Sequence, residues 1–202
     1  MKPPILSPRR LTALGLVVLC LGQVATAHAW SLTIASASPR VFLHVGNGTL
    51  DGANATVNLV SANLSAAQLL SGAPQAMTSN STQARSLYTG NVTCPTPASQ
   101  VMVGASFRRN GSPESDGRRA ILGITFPANL TNTAGDTIPF SEISWTASDS
   151  DLFPAGRFDG SLTASVRPNT YVENCYSFSY ANSVLRAPGT YTGTVTYTLT
   201  IP

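Results

Sequence analysis

The sequence predicts an all-β protein: an antiparallel Ig-like β-sandwich with one short helical turn, preceded by a leader. Three observations predict it. Apolar residues return at every second position in segment after segment, the period of a half-buried strand. Turn-forming clusters such as Gly46-Asn47-Gly48, Asp51-Gly52 and Asn110-Gly111 separate those segments. Only one stretch carries both a helix start and a helix stop. A jelly roll is the second architecture that fits the same pattern.

The N-terminal residues set the compartment. Lys2, Arg9 and Arg10 form a positive segment, and residues 11–24 form an apolar run that is short for a membrane span. Ala27-His28-Ala29 then places small residues where signal peptidase reads them. Residues 1–29 are therefore expected to be a signal peptide and residues 30–202 a single β-sandwich domain. The destination is periplasmic, cell-surface or extracellular, with no stable membrane insertion once the leader is removed.

Each element follows from local pattern. Trp30, Leu32 and Ile34 alternate with Ser31 and Thr33. Residues 41–45 and 56–60 are short strand candidates. Residues 65–70 form the one helix, with Ser65 as N-cap and Gly72 as stop. Residues 87–93 read as a strand leading to Cys94, broken by Pro95 and Pro97. Val101, Val103, Ala105 and Phe107, then Leu122, Ile124 and Phe126, read as a hairpin around the polar connection 108–119. Strands are further expected over 138–146, 157–166, 171–180 and 190–201. Trp145 shares a strand face with Ile143 and is the candidate core tryptophan.

Two segments resemble each other. Gly156, Phe158, Gly160 and Leu162 align with Gly189, Tyr191, Gly193 and Val195. The shared order is a turn, an aromatic facing in, a glycine at a close approach, and then a strand.

Composition narrows the function. Residues 30–202 hold nine Arg and no Lys against nine acidic residues, so the basic charge belongs to the leader. Neither nucleic acid nor an anionic membrane is implied. The lysine-free, alanine-rich composition suits a GC-rich bacterial genome. Two cysteines remain, Cys94 and Cys175, and in an exported chain they are expected to form a disulfide. The alternative is two separate buried thiols. Closing a loop of about 80 residues stabilises by roughly 4 kcal/mol in the chain-entropy account.

Little here could carry catalysis. His44 is the only histidine of the domain, and no Gly-x-Ser-x-Gly elbow accompanies it. A solvent-facing strand position is the expected place for it. No enzyme activity, cofactor or metal is expected. Asp149, Asp151 and Asp159 could gather around calcium, but a solvated loop is the simpler reading. Arg108, Arg109, Arg118 and Arg119 flank one loop and are the ligand candidates, as an anion-binding rim. Glu114 and Asp116 between them make local ion pairing the alternative. Asn-x-Ser/Thr sequons stand at Asn47, Asn54, Asn63, Asn80, Asn91, Asn110 and Asn129, and would be modified only in a glycosylating host.

The final residues carry the one family-like signature. In Gly189-Thr190-Tyr191-Thr192-Gly193-Thr194-Val195-Thr196-Tyr197-Thr198-Leu199-Thr200-Ile201-Pro202, the residues Tyr191, Val195, Tyr197, Leu199 and Ile201 share a strand face with Gly193. This resembles the terminal strand of bacterial chaperone–usher pilins and of spore-coat-U-like secreted proteins. Classical pilins favour an aromatic at the next-to-last position, where this chain has Ile201.

The resemblance implies a fimbrial-like surface subunit that lacks a strand and is completed by β-augmentation. Trp30, Leu32 and Ile34 would then be the donor face, and the strand 191–201 would border the groove. The partners implied are a periplasmic chaperone and other copies of the chain. An ordinary first strand, paired within its own domain, is the other role open to Trp30, Leu32 and Ile34. Two functions follow: a structural or adhesive surface protein, or a self-contained secreted Ig-like domain that binds a carbohydrate or a protein.

Overall fold

A computed structural model describes residues 40–48, 58–109 and 117–201. The expected leader and the Trp30, Leu32 and Ile34 strand lie outside the described residues. In chain order the elements are β1 (Arg40–Val45), β2 (Val60–Ser61), helix α1 (Ala66–Ser71), β3 (Gln75–Ala76), β4 (Thr78–Ser79), β5 (Val101–Arg108), β6 (Ala120–Thr125), β7 (Asn129–Thr131), β8 (Thr137–Pro139), β9 (Ile143–Ala147), β10 (Gly156–Arg157), β11 (Leu162–Val166), β12 (Thr170–Tyr180) and β13 (Thr196–Thr200).

These strands form two main antiparallel sheets. One runs β1-β5-β12-β9-β10, with β3 also on β12; the other runs β11-β6-β13. Two small ribbons, β2-β4 and β7-β8, stand apart from them. Val103, Ala105, Phe107, Trp145 and Tyr176 of the first sheet share one buried core with Ala120, Leu122, Ile124 and Val166 of the second. The all-β expectation holds, and the two sheets meet through that core as in a β-sandwich.

Register explains which residues fill the core. Directly opposed residues point to the same face, so Phe107 with Thr170, and Trp145 with Phe178, fix the inward side of β5, β9 and β12. Trp145 is buried, and its Nε1 donates to the Pro154 carbonyl at 2.8 Å. That bond satisfies the only polar atom of the indole side chain. Phe158 packs edge-on against Phe126 and Phe140 and tilted against Trp145, knitting the loops into the same core.

Helix α1 forms where expected. Ser65 accepts from the Gln68 backbone at 3.3 Å, and Gln68 Oε1 accepts from the Ser65 backbone at 2.9 Å, completing a capping box. Gly72 ends the helix at φ 64°, a conformation that costs glycine little.

Four expectations are corrected. The residues read as a hairpin do not pair: β5 lies in one sheet and β6 in the other, so the 108–119 connection crosses between sheets. Alternation marks the buried face of a strand and says nothing of its partner. Residues 87–93 form a turn closed by an Arg85–Val92 bridge rather than a strand. The 157–166 segment is split into β10 and β11, with Gly160 at φ 111° in the break. The 190–201 segment is a strand only over Thr196–Thr200, and Thr192 bridges to Thr131 instead.

The alignment of the two glycine-bearing segments holds in part. Phe158 is buried, whereas Tyr191 stays half-exposed and donates to the Ala187 carbonyl at 2.8 Å. Gly193 packs against Leu130 and Phe140, where a Cβ would clash at 2.7 Å. Gly160, its counterpart, has open space.

Candidate functional site

Two surfaces concentrate the unusual chemistry: the pair of sheet edges at β1 and β13, and the outer face of the β1-β5-β12 sheet.

The edges come first. β1 ends its sheet, β13 ends the other, and the two run close to one another. Among the described residues each has one paired flank, β1 on β5 and β13 on β6. Val41, Leu43 and Val45 on β1, with Tyr197 and Leu199 on β13, point to the core yet remain only partly buried. The expected groove residues are therefore distributed unevenly. Tyr197 and Leu199 line this edge, and Val195 packs beside them. Ile201 follows the strand and keeps 41% of its surface exposed. Tyr191 lies outside β13.

Burial raises the Tyr197 phenol pKa, and the nearby Tyr176 adds to the effect. Burial likewise pushes Tyr176 up to about 12, while its oxygen accepts from the Phe153 backbone at 3.1 Å. Between the sheets these two tyrosines, with Ile124, Trp145, Phe153, Phe158 and Phe178, line a small apolar crevice.

The outer face of the other sheet is covered by residues 81–94. Cys94 is bonded to Cys175 on β12, with a Cα separation of 5.6 Å, so the expected disulfide is present. Met102 packs against it, fully buried. Farther along the same face, Thr93 donates to Glu173 Oε1 and Tyr171 donates to Glu173 Oε2, both at 2.8 Å. Tyr88 stacks on Tyr171 with centroids 4.4 Å apart. The Tyr171 phenol pKa is raised, chiefly by burial and then by Glu173. Gly104 makes room here, because a Cβ would collide with the Tyr171 hydroxyl.

His44 sits in this layer. It opposes Gly104, which opposes Glu173, so the three share one face. The solvent-facing expectation is wrong: His44 keeps 1% of its surface, with the turn at residues 46–48 folded beside it. Backbone groups of Gly46 and Gly48 lie beside its ring, in poor geometry for a hydrogen bond. Burial lowers the imidazole pKa, and the Gly46 backbone, the Glu173 charge and the Gly48 backbone oppose that only in part.

The contacts described for the four arginines go to separate partners. Arg108 Nη2 donates to the Tyr88 hydroxyl at 3.1 Å, and the Arg109 backbone donates to Asn169 Oδ1 at 3.1 Å. Arg119 donates to the Arg118 carbonyl at 2.7 Å. The intervening Glu114 and Asp116 lie outside the described residues.

The acidic loop is similarly dispersed. Asp149 caps the Asp151 backbone, and Asp159 pairs with Arg157 at 3.7 Å. Among the described residues no three His, Cys, Asp or Glu side chains form a metal-binding group. Nor is any described helix long and apolar enough to cross a membrane.

Sequence reasoning missed Tyr88, Arg40 and the β1 edge. Tyr88 lay in a supposed strand, and nothing local marks its stacking on Tyr171. The β1 edge is visible only once the strand order is known. Comparison with protein-family models, with curated proteins and with solved structures finds no match.

Proposed function

We propose that this chain is an exported, non-enzymatic structural or adhesive surface protein whose Ig-like sandwich is completed by β-strand addition between β1 and β13. The observation that carries the reading is the pair of neighbouring sheet edges, each with half-buried, core-facing apolar residues. An added strand would find, among the described residues, one flank each of β1 and β13 without a pairing strand, and would cover Val41, Leu43, Tyr197 and Leu199. Trp30, Leu32 and Ile34, from this copy or another, have the alternation such a strand needs. A chaperone strand would use the same place before assembly.

The disulfide is compatible with export, since such bonds persist in oxidising compartments. The processed protein, purified from an oxidising compartment, tests the proposal by light scattering coupled to size exclusion. Oligomer ladders that collapse to monomer on adding a peptide of residues 30–35 are the expected result. A stable monomer indifferent to that peptide would overturn it.

A further inference from the structure

We propose that Arg40, Arg108 and Tyr88 form a binding site for a carboxylate-bearing sugar, a function distinct from strand addition. Arg40 and Arg108 are directly opposed across β1 and β5. Opposed residues share a face, so the two arginine side chains leave neighbouring positions on the outer surface. Like charges directly opposite one another destabilise a sheet. Both arginines are exposed, and among the described residues no carboxylate pairs with either. An external anion would relieve this arrangement.

The aromatic neighbour indicates which anion. Tyr171 covers one face of the Tyr88 ring, and Tyr88 still exposes 49% of its surface. Its hydroxyl is held by Arg108. Tyr171 is itself held by Glu173, which Thr93 also binds. The exposed ring is therefore fixed in orientation before any ligand arrives. The face of a phenol ring is electron-rich and attracts the polarised C–H groups on one side of a pyranose. Arg40 and the remaining donors of Arg108 would take the sugar carboxylate, a planar group that matches the guanidinium fork. A nucleic acid would also offer rings and anions, but nine Arg against nine acidic residues give the domain no basic field to attract a polyanion.

The processed full-length protein can be titrated calorimetrically with trigalacturonate, with the neutral galactose trisaccharide, with sodium acetate and with a thymidine oligonucleotide. Saturable binding of trigalacturonate is expected, weakened about tenfold or more by Arg40→Gln and by Tyr88→Ala, as for loss of one charge-assisted or stacking contact. The neutral trisaccharide should bind at least about tenfold more weakly for the same reason. Without ligand, Arg40→Gln should leave the melting temperature unchanged or raise it, because the like-charge pair is gone. The proposal is overturned if trigalacturonate fails to saturate at millimolar concentration, or if both variants bind like the parent. It is also overturned if acetate reproduces the whole effect, or if the oligonucleotide binds more tightly than the sugar.

Discussion

His44 is the residue whose environment departs most from that of a free side chain. It is buried, it shares its face with Glu173 and Tyr171 of β12, Arg40 of β1 and Arg108 of β5, and the Gly46 and Gly48 backbone lies beside its ring. Its folded pKa lies below the ordinary value of 6.5. The fold therefore favours the neutral imidazole. Its contribution to stability is present above pH 6.5 and is lost as the pH falls from there through the folded pKa. Melting temperature measured from pH 7.5 to pH 5 should decline, and His44→Gln should flatten that decline; an unchanged slope in the variant would assign the acid sensitivity elsewhere.

Asn174 does the opposite kind of work. Its Oδ1 accepts from the Ser148 backbone at 2.9 Å, the Ser148 hydroxyl at 2.7 Å and the Asp149 backbone at 3.2 Å, and its Nδ2 donates to the Asp149 carbonyl at 2.8 Å. Its oxygen thus accepts three bonds and its amide nitrogen donates one, at zero exposure. Asn174→Leu should cost about 3 kcal/mol, since it strands several buried polar groups at once. Chemical denaturation would measure this, and a loss under about 0.5 kcal/mol would show that the 148–149 turn repacks with water.

At the scale of elements, β5 dominates. It is buried along seven of its eight residues, with the core on one side and the 81–94 segment on the other. The disulfide joins that segment to β12, across a sequence separation of 81 residues. Replacing Cys94 and Cys175 by alanine should therefore cost about 4 kcal/mol, mostly through the unfolded chain. Urea titration at neutral pH would show it as a lower midpoint. A midpoint shift of less than about 1 kcal/mol would mean that Met102, Thr93 and Tyr88 hold the segment unaided.

What the sequence could reveal at this scale follows interaction range. Helix α1 was legible because its cap, Ser65 with Gln68, and its stop, Gly72, lie within one stretch of chain. The inward faces of β5, β6 and β9 were legible because alternation reports burial. The pairing of β5 and β6 was not, since partner choice is settled by contacts far apart in sequence. The burial of His44 was hidden for the same reason. Residues 81–94 carry no pattern announcing that they will lie across a sheet; only Cys94 hinted at an attachment.

For the whole molecule, the decisive property is where its two sheets end. Among the described residues a six-stranded sheet ends at β1, a three-stranded one at β13, and the apolar interior reaches a half-covered margin between them. Backbone amides on the free flanks of β1 and β13 should exchange with deuterium faster than those of β5. Occupation of the margin by a strand should slow them by an order of magnitude or more, as paired amides require local opening to exchange. Exchange unaffected by the residue 30–35 peptide would place any strand partner elsewhere. Of the expected groove, the β13 side was readable from its alternating residues. The β1 side became apparent only when the order of strands placed it at the facing edge.

The covering segment also bears on how the chain resists proteolysis before and after its disulfide forms. Apart from a 3₁₀ turn beyond Cys94, it has almost no regular structure, and Arg85 within it is exposed. Before oxidation, nothing covalent keeps it on the sheet, and a trypsin-like protease would meet a pliable stretch with an accessible cleavage point. After oxidation, the same peptide bond is tethered close to a rigid surface. Cutting at Arg85 should be much faster in the reduced chain than in the bridged one, as a time course of digestion would show. Resistance to cleavage would thereby separate copies that have completed oxidation from those that have not.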